Sequence, residues 1–177
     1  MNFLTFQDEK SCSETLVLDR LDRLGIAHRT IRHPAAHTVE EAKKYRGNLS
    51  GGHAKNLFLK SKRDEYVLAV VQEDAPVDVQ EVAKICKTAR LSFARPERVV
   101  EWLGVRPGAV TPFALINAER HPERNRLRII VDQTLLDETQ VWFHPLHNEA
   151  TTAISPADLV RFIQSCGWTP IPFRFGG

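Results

Sequence analysis

The chain has 177 residues, a formal net charge of +2, and 42% hydrophobic and 26% charged residues. That is enough chain for a sizeable α/β core of ordinary globular composition. It excludes a protein living mainly by non-specific attraction to phosphate, and the longest apolar runs, Tyr66 to Val71 and Arg128 to Val131, are far too short to span a bilayer.

The N-terminus lacks a basic region followed by an apolar stretch, so residues 1–10 are expected as a short mobile lead-in rather than a secretory signal. Ser11-Cys-Ser-Glu14 reads as a capping box, followed by the stripe Leu16, Leu18, Leu21, Leu24 and a left-handed stop at Gly25. A short strand is expected at Ala27 to Ile31. Thr38-Val-Glu-Glu41 is a second capping box, opening a helix to Arg46, and residues 47–53 form a Gly-, Ser- and Asn-rich loop. Lys55 to Lys60 and Tyr66 to Val71 are β-prone runs joined by the polar turn Ser61 to Glu65, which predicts a hairpin. Asp78 with Glu81 caps a third helix through Thr88, and Pro96 begins a fourth that ends near Gly104. Val105 to Pro112, with two prolines and a glycine, is a constrained loop or irregular strand. Strands are predicted near Ala114–Ile116, Leu127–Asp132 and Val141–Phe143, and Ser155-Pro156 with Asp158 opens a last helix that stops at Gly167. The pattern implies one domain over residues 1–177, a mixed, largely antiparallel sheet flanked by helices.

Cys12, Cys86 and Cys166 contain no C-x-x-C pair, which argues for buried structural thiols and a reduced, cytoplasmic setting. There is no G-x-S-x-G elbow, H-E-x-x-H helix or phosphate loop, and His33 and His37 are separated by a proline with no acidic partner, so no metal or organic cofactor is expected. Two basic stretches, Lys84 to Arg98 and Arg120 to Arg128, can meet an RNA backbone or serve as solvated faces, since Glu81, Glu97 and Glu123 interrupt them.

Three features carry candidate chemistry. Lys55 shares a strand face with Leu57 and Leu59, an apolar setting in which an ammonium needs an anionic or carbonyl partner; the alternative is a strand-end lysine reaching solvent. Gly108-Ala109-Val110-Thr111-Pro112 combines close backbone approach at the glycine with a fixed exit at the proline. His144-Pro-Leu-His147-Asn148 follows a strand, with a histidine able to shuttle a proton and an asparagine able to position an ester carbonyl.

Taken in order, Lys55-Asn-Leu-Phe-Leu-Lys60, Gly108-x-x-x-Pro112 and His144-Pro-Leu-x-Asn148 resemble the YbaK/ProRS-associated editing domains, and within them the free-standing alanyl-tRNA(Pro) deacylases. His33-Pro34 with Thr38-Val-Glu-Glu-Ala42, and the stretch Asn148 to Leu159, extend the resemblance over residues 13–166. It implies a barrel-like mixed sheet surrounded by helices, with the terminal adenosine and amino acid of a tRNA in a central cleft. By that resemblance Lys55 holds the aminoacylated 3′ end and stabilises developing charge, the 108–112 backbone positions the amino group and the attacking water, and Asn56 and His144 are further members of the site. Val39 and Ala42 are candidates for the wall of a small apolar pocket. The implied function is trans-editing of Ala-tRNA(Pro), with Cys-tRNA(Pro) deacylation and a non-catalytic nucleic-acid-binding module as alternatives. The implied partners are the acceptor end of mischarged tRNA and prolyl-tRNA synthetase, with no membrane involved.

Overall fold

The computed structural model describes residues 6–175, and side chains from Glu14 onward. The first helix, α1 (Phe6–Arg23), starts five residues before the capping box expected at Ser11. Glu14 is therefore an interior helical residue, buried to 5% exposure, rather than part of a helix start. Of the expected lead-in, residues 1–5 lie outside the described residues, and from Phe6 the chain is helical. The side chain of Cys12 also lies outside them; Cys86 and Cys166 are buried free thiols, with burial pushing them up to about 11 and about 12.

After Gly25 in the left-handed region, the chain enters β1 (Arg29–Arg32) and then α2 (Val39–Arg46). Thr38 caps the helix as expected, its hydroxyl accepting from Glu41 N at 3.1 Å, while the Glu41 carboxylate reaches one residue past the cap and accepts from His37 N at 2.8 Å. β2 (Gly52–Ser61) and β3 (Tyr66–Gln72) make the predicted hairpin, paired from Ala54↔Gln72 to Lys60↔Tyr66. Asp78 caps α3 (Val79–Cys86) through Gln80 N and Glu81 N, and a short strand, β4 (Leu91–Phe93), leads into α4 (Pro96–Leu103), which ends at left-handed Gly104.

The strand expected at Ala114–Ile116 is helical. Thr111 caps the turn by accepting from Phe113 N, Pro112 supplies a helix-compatible φ, and the chain runs through a 3-10 turn into α5 (Leu115–Ala118). Residues 113–116 are buried on every side, so a short apolar run carried no period to separate helix from strand. β5 (Leu127–Asp132), α6 (Gln133–Leu136), β6 (Val141–Phe143), β7 (Ala150–Ile154), α7 (Pro156–Ser165, capped by Ser155) and β8 (Ile171–Phe173) complete the order.

The strands form one mixed sheet in the order β1-β7-β6-β2-β3-β5-β8, with β4 also on β2. β1–β7, β6–β7, β2–β3 and β2–β4 are antiparallel; β2–β6, β3–β5 and β5–β8 are parallel. One face carries Phe58, Leu68, Val70, Ile129, Val131 and Phe143 under α1, α4, α5 and α7, with Phe113 set edge-on to Phe143 and Phe162. The other face carries Leu59, Val67, Ala69, Val71 and Ile130 under Val82, Ala83 and Cys86 of α3. The period of two along each strand sorts these side chains.

β2 is the strand on which the site depends. One edge is zipped to β3 throughout. The other pairs with β6 only at Gly52–His53 and with β4 only at Leu59–Ser61. Between them, among the described residues, the strand has no ladder partner on that edge. Gly51, at φ 112°, sets the entry to this strand; an added Cβ would lie 2.7 Å from the Gln140 carbonyl oxygen.

Candidate active site

Register brings the candidate side chains together. His53 is in register with Trp142, and Trp142 with Ala153, so these three share one face. Two residues further along each strand the same face presents Lys55, His144 and Thr151. This face is the one α3 covers elsewhere, but over β6 and β7 the cover is the segment leading into α2. A cleft of about 210 Å3 lies there. Ala36, Thr38, Val39 and Ala42 form one wall, Pro107, Gly108 and Val110 another, and the strand residues line the rest.

Lys55 is half-buried and its amine donates to the carbonyl of Ala75, the carbonyl partner that its apolar setting demanded. Asn56 lies on the opposite face of β2, but reaches the cleft where the strand edge is open. Its Nδ2 donates to the Val110 carbonyl at 3.0 Å, while its Oδ1 is buried with no hydrogen-bond partner. A buried acceptor left empty in this way is uncommon.

His144 Nδ1 lies 3.0 Å from the Ala150 carbonyl, which can only accept, so Nδ1 carries the proton. Burial pushes the imidazolium below the ordinary histidine range, against the hydrogen bond to Ala150, and the charges around His33, His147 and Arg46 push the same way as burial. The ring is neutral near pH 7, and its Nε2 is a bare lone pair beside the cleft. His33 sits next to it, ring centroids 6.3 Å apart, with Nδ1 on the Pro34 carbonyl at 2.8 Å and Nε2 on the Thr151 hydroxyl at 2.7 Å. At the α2 end, Arg46 Nη2 donates to both oxygens of Glu73 at 2.8–2.9 Å, with both side chains nearly buried. That pair ties the helix to the end of β3.

Of the residues singled out in the sequence, Lys55, Asn56, Gly108, Val110, His144, Val39 and Ala42 all line this cleft. Others do not. Ala109 is packed in the main core, Thr111 is fully buried with its hydroxyl committed to the Phe113 amide, and Pro112 begins the following helical turn. Asn148 donates to the Ala36 carbonyl at 3.0 Å, holding the segment ahead of α2 instead of facing the cleft. In the second basic stretch, Arg124 points inward to the Glu119 and Cys166 carbonyls and stacks over Trp168.

Residues 33–162 match the family model of the aminoacyl-tRNA editing domain, and that span contains the whole cleft. The chain belongs to the aminoacyl-tRNA editing domain family. It is thus an aminoacyl-tRNA deacylase, acting on the ester that joins an amino acid to tRNA. Its relatives include prolyl-tRNA synthetase associated domain-containing protein 1 of Danio rerio, 37% identical over 88% of this chain and 83% of the relative. The prolyl-tRNA editing protein ProX of Acetoanaerobium sticklandii is 30% identical over 86% of this chain and 92% of its own length. The fold is shared with a solved structure described as a candidate trans-editing enzyme for prolyl tRNA synthetase, at TM-score 0.70 and 23% identity, covering 93% of this chain and 98% of that one.

Several lining residues of this editing domain were not picked out from the sequence. His53 and Trp142 fall in the row beside the catalytic candidates, and Thr151 was read only as part of a family stretch. His33 was weighed as a metal ligand. Its preceding strand and following proline were the available signal, because they fix where its ring stands. Arg46 and Glu73 meet across 27 positions of sequence, which no local pattern reveals.

Proposed function

We propose that this deacylase removes alanine wrongly attached to proline tRNA, and that the cleft built on Lys55, Asn56 and His144 is where it does so. The observation that carries the reading is the grouping of three residues along one small recess: Lys55 with its amine, Asn56 with its unpartnered Oδ1 and His144 with its unprotonated Nε2. An aminoacyl ester offers a partner for each. Its α-ammonium donates to Asn56 Oδ1. The Lys55 amine meets the acylated 3′ end and the negative charge that develops on the carbonyl oxygen. His144 Nε2 accepts a proton from the attacking water.

In the reaction, the water oxygen bonds to the ester carbon while His144 takes one water proton. The tetrahedral oxyanion then collapses, the carbon–oxygen bond to the ribose breaks, and the proton held by His144 passes to the ribose oxygen. Alanine and uncharged tRNA leave. No side-chain nucleophile is needed, because the ester is already activated and holding water against it supplies much of the acceleration.

The apolar walls, Val39, Ala42, Val110 and Pro107, set the size of side chain admitted. A proline-activating pocket that admits alanine forfeits the contact of two methylene groups, about 1.6 kcal/mol or roughly fifteen-fold. A second sieve that takes the small side chain and rejects the larger one makes up the difference. The test is release of amino acid from proline tRNA charged separately with alanine, cysteine, serine and proline. Alanine should leave fastest and proline should stay; faster release of cysteine or serine would reassign the substrate.

A further inference from the structure

Glu14 is a buried carboxylate that the chemistry above does not use. It sits on α1, outside the cleft, yet it is bonded on both oxygens. Arg32 of β1 donates two hydrogen bonds to it at 2.7 Å, and His147 Nε2 lies 2.9 Å from Oε2. His147 is itself 6% exposed. Its Nδ1 accepts from Glu149 N at 3.2 Å, so Nδ1 is unprotonated and Nε2 carries the hydrogen to Glu14. The carboxylate thus selects the tautomer and the angle of the ring.

His147 lies in the turn that joins β6 to β7, and this turn is under strain. Leu146, beside it, is in the left-handed region at φ 71° with a branched, buried side chain. Such a residue persists only where its surroundings over-determine it. The turn carries His144 at its start and Ala150 at its end, and the Ala150 carbonyl is what holds the proton on His144 Nδ1. Arg32, the other partner of Glu14, is in register with Ala150. Both arms of the carboxylate therefore reach the same turn, one at His147 within it and the other through Arg32, the strand partner of Ala150 at its end.

We propose that Glu14 is a positioning residue for His144: through His147 and Arg32 it fixes the strained β6–β7 turn, so that His144 keeps its Nδ1 proton on Ala150 and aims a bare Nε2 into the cleft. The inference rests on the reading of His144 as the proton acceptor. An ion pair that only pins α1 to the sheet would lower stability without touching the imidazole or the chemical step.

The test uses Glu14→Gln in the full chain, with three readouts. Glutamine keeps the shape but removes the charge, and its amide nitrogen must face at least one of these donors: Arg32 Nη2 if the oxygen stays at the Oε2 position, or both Arg32 Nη1 and His147 Nε2 if it does not. In long-range proton–nitrogen spectra, His144 of the unmodified protein should show a single Nδ1-protonated ring, and Glu14→Gln should show a mixture of tautomers. kcat for alanine release should fall about tenfold, with KM within about twofold, as expected when a catalytic group is displaced by a fraction of an ångström. In a His144→Ala background the same Glu14→Gln change should cost nothing further, since the group it positions is gone. An unchanged His144 spectrum, or an equal loss of kcat with and without His144, overturns the proposal. If His144→Ala alone turns over at the unmodified rate, the proton-acceptor reading fails, while the spectrum still decides whether Glu14 governs the ring. Should Glu14→Gln not fold, His147→Gln, which keeps a donor toward Glu14, must retain kcat and the single tautomer better than His147→Ala; equal behaviour of the two refutes the idea.

Discussion

Replacing Asn56 by alanine should separate stability from activity, and the structure gives the size of both effects. The asparagine makes one bond to the Val110 carbonyl at 3.0 Å and leaves its own Oδ1 buried and empty. Losing the bond strands a carbonyl, at about 1–3 kcal/mol, while removing the orphaned oxygen relieves a penalty of about the same size. The two nearly cancel, so unfolding free energy should change by less than about 1.5 kcal/mol. With substrate bound the balance differs. An acceptor for a charged α-ammonium contributes about 1.5–3 kcal/mol, which converts to a loss of roughly 10- to 150-fold in kcat/KM. Denaturant unfolding reads the first quantity and initial rates of alanine release at low substrate read the second. A variant that is much less stable but turns over normally would show that Asn56 only braces the 107–112 loop, and would refute a substrate contact.

Replacing Lys55 by alanine should leave the circular-dichroism spectrum and cooperative unfolding intact, since the half-buried side chain makes a single bond to Ala75; kcat/KM should drop by about 100- to 1,000-fold, the cost of losing one preorganised charge-stabilising donor. The pH profile should carry the mark of His144. Its folded-state pKa is lowered by burial, so kcat/KM should be flat through neutral pH and fall only with a midpoint below the ordinary value of about 6.5. His144→Ala should remove that acid limb. The linkage has the same sign: the unfolded chain binds the proton first, so stability present above the unfolded value is lost as pH falls from there through the folded value, and titration of unfolding free energy in the unmodified protein and in His144→Ala checks it.

Much of this architecture was written in local chemistry. Thr38, Asp78, Pro96 and Ser155 announce helix starts that the structure places at the same residues, because a cap satisfies backbone donors within one turn and depends on nothing distant. The Lys55 hairpin was legible from its two β-prone runs and polar turn. The misreadings have the opposite origin. Ser11 fits a cap motif inside a helix that begins earlier, and Ala114–Ile116 is apolar throughout and so carries no period. β4, β7 and β8 were not drawn as strands: two are three residues long, and β7 is fixed by its partners β1 and β6. At the site, residues that speak through their own chemistry, Lys55 and His144, were visible. Those that act by meeting a distant partner, such as Arg46 with Glu73 and His33 with Thr151, become apparent only when the chain is folded.

The interrupted edge of β2 has a consequence for how this protein can change. Its central stretch is tethered to β3 on one flank and, among the described residues, has no strand on the other, so on that edge the strand that bears the lysine is held only at its two ends. Residues bordering the opening from the α2 and 107–110 sides can be exchanged without unzipping any pair of strands. Selectivity and robustness are then separable properties of the molecule, and a broader or narrower diet can be engineered at the rim while the scaffold beneath stays as it is.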